Sequence, residues 1–458
     1  MEYWKVARLL IRLLLLSAAA CGIAAQSATP PPLDITWYIS PNGSSDNSTC
    51  GRTRETPCDS LRTILDRSPL FVTSSSGARC YSSSGNDDGR RSTTVYFEEG
   101  VNFVPPTCLK NWTNLAIIGL GNVTITSRLG APRAFFEFDG CSNVTVRNLQ
   151  FAAAFTGKGT FYFETSRQIS IEDCSMPLIR HPSMGIEIIL GGGDIEITNT
   201  LFYGNPSFAT LAGGSTVALK VTQGRSSSSC SFQEECDNAV LEAINLMITN
   251  CTFQDIASGG TPSDSYSGSH TDALAVAVRF FSEASGNRMV VRDSLFTRII
   301  YPVASSVLVN YDLGSVNNYA LFVNCTFRDN RVRYGGGIAA YFYSEPQNGL
   351  LEVENCQFTN NEVSFEGGGV FAAFLSRSLE NSVRISRSQF IRNRAQYGAG
   401  IFLFNNPAWF SLHSAPDAVS LPLIFTSITD CLFEENSALL SEGVINTLRL
   451  QLTISGTK

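Results

Sequence analysis

Between Val146 and Phe433 one pattern of apolar and polar positions recurs: Ile, Val or Phe, a variable residue, Asn, Asp or Arg, two more residues, and a large apolar one. Nine copies end at Phe151, Met176, Phe202, Phe253, Phe296, Phe327, Phe358, Phe390 and Phe433, at spacings of 25, 26, 51, 43, 31, 31, 32 and 43 residues. Such spacings predict a one-dimensional stack of coils with loop insertions, the interval of 51 holding either a degenerate coil or a long loop. Five places before the terminal residue stand Val146, Ile171, Ile197, Ile248, Val291, Phe322, Val353, Ile385 and Ile428. Around them the chain alternates, as in Glu352-Val353-Glu354, which is the period of a strand with one buried and one wet face. The next column is Asn148, Asp173, Asn199, Asn250, Asp293, Asn324, Asn355, Arg387 and Asp430. It predicts corners between short strands, since Asn and Asp tolerate turn geometry and stacked amides can bond from coil to coil. A small residue predicted to point inward follows: Leu149, Cys174, Thr200, Cys251, Ser294, Cys325, Cys356, Ser388 or Cys431. Each terminal Phe is worth roughly 1.5 to 3 kcal/mol on burial, so this column reads as a core rather than a binding stripe.

The last four copies carry a second signature. FRDN (Phe327 to Asn330), FTNN (Phe358 to Asn361) and FIRN (Phe390 to Asn393) are followed by GGGI at Gly335, GGGV at Gly367 and GAGI at Gly398. FEEN, ending at Asn436, precedes the degenerate EGVI at Glu442. Two polar corners and a glycine-rich approach to a third strand predict three short strands per coil, with glycine permitting a sharp bend and close backbone stacking. The paired motifs resemble the repeats of chlamydial polymorphic outer membrane proteins and, more widely, right-handed parallel β-helix (pectin-lyase-like) proteins. The resemblance covers roughly 130 residues with both motifs and about 300 with the looser one. It implies an all-β solenoid and, for this repeat type, a surface adhesin. The residues given do not read as the C-terminal membrane barrel of an autotransporter, so that architecture is not expected.

Three basic residues, Lys5, Arg8 and Arg12, precede a Leu/Ala run, so residues 1–25 are expected to be a secretory signal peptide. A lipobox-like Ala18-Ala19-Ala20-Cys21 offers the rival reading, a lipidated cysteine. Residues 26–110 are assigned to an N-terminal cap with the first strands and 111–455 to the β-helix. The cap includes a short helix with Leu61, Ile64 and Leu65 on its apolar side, covering a first coil whose open end would invite edge pairing. LRLQLTISGTK, at the far end, reads as a coil still running, as in a piece of a longer protein. Insertions at Ser226 to Asp237, Ala257 to Thr271, Tyr343 to Gly349, Leu375 to Asn381 and Asn405 to Pro422 are expected in one phase of the coil, giving one loop-decorated face.

Without residues 1–25 the chain keeps 30 basic and 39 acidic groups, a net charge of −9, which disfavours nucleic acid as a partner. No later apolar run reaches the ~18 residues of a membrane span. Twelve cysteines after cleavage suit an oxidising compartment. The five in the inward column read as buried small hydrophobes; Cys50 with Cys58, Cys80 with Cys108 and Cys230 with Cys236 are the plausible bridges, leaving Cys141 unassigned. No CxxC or Cys/His cluster occurs, so neither metal nor cofactor is expected. Of seven sequons, Asn42, Asn47 and Asn111 are the expected glycan acceptors. Asn250 and Asn324 are expected bare, because a glycan there would have to pass between stacked coils.

Many right-handed β-helices are polysaccharide lyases, hydrolases or epimerases. His270-Thr271-Asp272 resembles the Asn-Thr-Asp stretch of polygalacturonases, which makes His270 and Asp272 the catalytic candidates, but the remaining acids, Gly-His-Gly and Arg-Ile-Lys of that family are missing. Tyr266, Trp409 and Phe410 are candidate contacts on the loop-bearing face. The reading is a secreted or cell-surface β-helix that binds carbohydrate or an extracellular protein without catalysis, with a carbohydrate-active enzyme as the alternative.

Overall fold

The computed structural model describes residues 35–44, 50–65, 71–73, 79–82, 92–126, 134–152, 159–178, 184–189, 191–204, 217–223, 242–257, 273–281, 284–301, 305–312, 314–343, 345–375, 380–406, 424–440, 443–448 and 451–458. Their strands form a 22-stranded sheet, a 13-stranded sheet and a short 5-stranded sheet, in which successive coils pair in parallel. A middle coil has the three expected strands, Arg167–Glu172, Ser175–Leu178 and Met184–Ile189. Later coils add a fourth. Tyr319–Val323, Thr326–Arg328, Arg331–Tyr334 and Ile338–Phe342 make one turn, because the second polar corner gives its own short strand before the glycines.

The apolar column is one continuous register. Val146 lies opposite Ile171, Ile171 opposite Ile197, Val353 opposite Phe322 and Ile385, and Ile385 opposite Ile428. Ile197 lies directly opposite Ile248, so the interval of 51 holds an excursion and no hidden coil. The same register runs back through Ile117, Val95 and Trp37 and forward to Ile454. All nine residues of the repeated column are at most 1% exposed. The aromatic column stacks beside it, with ring centroids 4.7 to 4.9 Å apart from Phe202 through Phe253, Phe296, Phe327, Phe358 and Phe390 to Phe433. That spacing is the strand separation, so flat rings repeat with the backbone.

Each residue of the polar column is left-handed, with φ between 49° and 56°. This is why Asn and Asp dominate there: short polar side chains tolerate that region better than most. Their amides form the expected ladder, with Asn250 donating to Asn199 at 2.8 Å and Asn355 to Asn324 at 2.7 Å. The ladder is on the outside, however. Asn250 and Asn324 are exposed, and the amide nitrogens that would carry a glycan donate within the ladder, Asn250 to Asn199 and Asn324 to Asp293 at 3.1 Å. A second ladder is buried. In FRDN and its equivalents the corner is the third residue (Asp329, Asn360, Arg392, Glu435, φ 54° to 58°), and the final Asn turns inward. Asn330, Asn361 and Asn393 are 0% exposed, and Asn361 Oδ1 accepts the Asn330 backbone N–H at 3.2 Å while its Nδ2 donates to Phe327 O at 3.1 Å and Asn393 Oδ1 at 2.9 Å. Glycine follows for a steric reason: a Cβ on Gly369 would lie 2.6 Å from the Phe390 ring, and one on Gly368 would overlap the Ala399 carbonyl.

The helix Leu61–Leu65 buries Leu61, Ile64 and Leu65 against Trp37, Val95, Leu115 and Ile117 of the first coils. Cys50 is bonded to Cys58 and Cys80 to Cys108. The inward cysteines Cys174, Cys251, Cys325, Cys356 and Cys431 are buried thiols, as is Cys141, whose Sγ faces Leu109 O at 3.4 Å. Four of the five expected insertions share one phase, leading from the 13-stranded sheet into the 22-stranded one, and Ala257–Thr271 departs from it. Segments 224–241 and 407–423 lead from the 13-stranded sheet into the 22-stranded one, whereas 205–216 and 258–272 lead the other way.

Candidate functional site

Strand alternation decides what the 13-stranded sheet presents outward. Ala340, Phe342, Ala372 and Phe374 belong to the lumen core, so Tyr341, Tyr343, Phe371 and Ala373 face outward. One outward column reads Asp139, Glu164, Ile189, Thr222, Arg279, Asn310, Tyr341, Ala373 and Phe404. Its first half carries Asp139 and Glu164 before Ile189 and Thr222, and charges pair there: Lys110 meets Asp139 at 3.0 Å, and Lys220 on the adjacent column meets Glu187 at 2.7 Å. Its second half carries Tyr341 and Phe404, and with residues of adjacent columns Tyr341, Tyr343, Phe371 and Phe402 form an apolar cluster separate from the lumen. Tyr341 stacks on Tyr343 at 5.3 Å and meets Phe371 at 5.2 Å.

Beside this buried cluster the short fourth strands make a half-buried ledge across three coils. Tyr334, Phe365 and Tyr397 follow one another at 5.8 and 6.4 Å with alternating ring orientation. The Arg333 guanidinium lies 5.4 Å from the Tyr334 ring and 5.7 Å from that of Phe365. Glu366 opposes Tyr334 in register and bridges to Tyr397 on the next coil. Burial alone pushes its carboxyl up to about 7. Among the described residues neither Arg333 nor Glu366 has a salt-bridge partner, and the Glu366 carboxyl accepts no hydrogen bond, although its backbone carbonyl takes the Gly335 N–H at 3.0 Å. Tyr341 lies behind them, its hydroxyl held well above the usual tyrosine range by burial first, then by Tyr343, Tyr334 and Glu366, with Arg333 opposing. An unpaired Arg and an unpaired carboxyl beside aromatic rings form a ready hydrogen-bonding surface on an apolar support.

No family model and no curated protein matches the chain. Solved structures do. A mannuronan C-5 epimerase A-module of Azotobacter vinelandii aligns over 80% of this chain and 90% of its own, with 12% identity and a TM-score of 0.38. The catalytic domain of a GH87 α-1,3-glucanase in complex with tetrasaccharides aligns over 83% and 68%, with 11% identity and a TM-score of 0.41. A surface adhesin of Streptococcus pneumoniae aligns over 87% and 88%, with 12% identity and a TM-score of 0.38. The chain is a right-handed parallel β-helix. That assignment rests on the parallel stacking of its own coils and not on these likenesses.

His270, Asp272, Tyr266, Trp409, Phe410, Cys230, Cys236 and Asn47 lie outside the described residues. Asn42 and Asn111 are exposed, Asn111 at a left-handed corner (φ 58°). The ledge was not anticipated, although it leaves a signal in the chain. RVRYGGG, SFEGGG and AQYGAG each place an aromatic one or two residues before the glycines. Among the described residues no three His, Cys, Asp or Glu side chains converge as metal ligands, and no helix is long and apolar enough to cross a membrane.

Proposed function

We propose that this β-helix is a secreted or cell-surface module that binds an extended glycan along its ledge without cleaving it. The observation that carries the reading is the row Tyr334, Phe365 and Tyr397, rising one ring per coil, with Arg333 and Glu366 unpaired among them. Coils rise by about 4.8 Å, a step comparable to one sugar ring, so a chain parallel to the axis meets a new aromatic at each residue. Aromatic rings take the C–H faces of sugars, and the tyrosine hydroxyls, guanidinium and carboxyl serve their hydroxyls. The leader-like residues 1–25, the two disulfides and the repeat resemblance to displayed adhesins support an extracellular setting.

A polysaccharide-active enzyme is the second reading, and one observation favours it. The Glu366 carboxyl at about 7 is in the range of a general acid. Glycoside hydrolysis uses two carboxylates, however, and Glu366 is the one acid on the ledge; Glu362 on the same strand is committed to Arg331 at 3.1 Å. The test is to incubate the purified chain with a panel of polysaccharides and follow retention and product together. Saturable retention without new chain ends supports the binding module. Product formation abolished by Glu366→Gln or Asp272→Asn would replace it with the enzyme.

A further inference from the structure

Exposed large apolar side chains among the described residues fall in two places. Phe425, Leu439, Leu440 and Ile454 belong to the last coils, whereas Val101 and Phe103, each 49% exposed, stand together on the strand Thr93–Phe103 near the start. The next coil carries a sequon beside them, Asn122-Val123-Thr124. Strands Thr93–Phe103 and Thr113–Thr126 pair in parallel except at their corner, where Glu98 lies opposite Leu120 and Gly100 opposite Val123, so that Glu99 alone faces both Gly121 and Asn122. The extra residue pushes the corner outward: Gly121 takes φ 84°, and Asn122 is exposed with no hydrogen-bond partner among the described residues. Val123 turns inward, and Thr124 lies directly opposite Val101. Other sequons have their amides engaged. Asn143, Asn250 and Asn324 donate to corner residues of the preceding coils, Asn114 at 2.7 Å, Asn199 at 2.8 Å and Asp293 at 3.1 Å.

We propose that Asn122 carries an N-linked glycan whose first sugars lie over Val101 and Phe103. The inference rests on the extracellular setting proposed above and is independent of what the ledge binds. Transfer joins Asn122 Nδ2 to C1 of the first sugar of a lipid-pyrophosphate-linked oligosaccharide. The bond from C1 to the pyrophosphate oxygen breaks, the lipid pyrophosphate departs, and the amide gives up one proton with no change of oxidation state. The reaction needs an unspent amide and a hydroxyl two residues on, which Asn122 and Thr124 supply at a protruding corner. The product explains the apolar pair, because a sugar can lay a C–H face on Phe103 and Val101 while its hydroxyls meet water. Asn42, an expected acceptor, stands on the coil before, next to Pro41, whose ring adjoins Gly100, so the two glycans flank the same pair.

The experiment expresses the full chain in cultured insect cells, from its own residues 1–25 and, in parallel, behind an unrelated secretory leader. Enzymatic release of N-glycans in heavy-oxygen water converts each glycosylated Asn into labelled Asp, and peptide mapping reads the label. The expected result is label at Asn122 in most chains, and loss of one glycan in mass from Asn122→Gln. Thr124→Ala, which destroys the sequon and leaves the amide, should lose the same glycan, so it decides the matter should Asn122→Gln fail to fold. Both variants should bind more of a fluorescent apolar dye than wild type, and Phe103→Ser added to either should reverse the gain. Unlabelled Asn122 in secreted chain overturns the modification, and dye binding unchanged by its loss overturns the cover. Retention in the cell behind its own leader overturns the extracellular setting instead, while the second leader still reads Asn122.

Discussion

Asn361→Ala should destabilise the chain by about 3 to 5 kcal/mol, more than an asparagine-to-alanine change costs at a surface. Asn361 is 0% exposed and its side chain serves three partners: it accepts from the Asn330 N–H and donates to Phe327 O and Asn393 Oδ1. The Asn393 oxygen keeps a donor in the Asn361 backbone N–H at 3.1 Å, so the substitution orphans the buried Asn330 N–H, at about 1 to 3 kcal/mol, takes one donor from Phe327 O, which stays in the parallel ladder, and leaves a void. Asn199→Gly is the matched control. Asn199 has φ 51°, donates to Asp173 at 3.1 Å and accepts from Asn250 at 2.8 Å, so glycine keeps the left-handed corner and gives up two solvated bonds, for about 1 kcal/mol. Urea unfolding followed by circular dichroism measures both, with the slope inspected because stacked coils can lose cooperativity. Equal costs within about 0.5 kcal/mol would refute the claim that the inward ladder is a structural spine.

Three further outcomes follow from the same geometry. Gly368→Ala should prevent close stacking of its coil on the next and leave the chain largely insoluble, whereas Gly314→Ala, with open space at its Cβ position, should cost only about 1 to 2 kcal/mol for its positive φ; soluble yield and melting temperature separate them. Glu366 has a folded pKa of about 7, above its unfolded value, so its contribution is complete below about pH 4.5 and is lost as pH rises through 7. Discounted for partial exposure, that is about 2 kcal/mol, and the melting temperature of wild type should fall against Glu366→Gln between those limits. Burial pushes the thiols of Cys141, Cys174 and Cys251 up to about 12, so alkylation by iodoacetamide at pH 8 should require unfolding; labelling of the native chain at these positions would contradict their placement.

The repeat made the lumen legible because its period and its contents have one cause. Ile171, Ile248, Val353 and Ile385 share a layer since a parallel register of stacked coils puts equivalent residues at equivalent heights. The corner column was legible for a similar reason, as few residues accept φ near 50°. The inward turn of Asn361 was hidden because Asn is equally apt for a corner and for bridging backbone groups, and only the coil above decides between them. The ledge was obscured because Tyr334, Phe365 and Tyr397 stand within the repeat, one or two places before its glycines, where the strand period gives an aromatic no reason other than packing. Loop phase misled for a related reason, since segment 258–272 has the composition of the others but leaves from a different corner.

Hydrogen exchange with and without a bound polysaccharide tests the central claim most directly. Protection confined to residues 331–334, 362–366 and 394–397, at unchanged polymer length, is the predicted result. Protection elsewhere on the solenoid with the ledge unaffected, or shortening of the polymer, would contradict it.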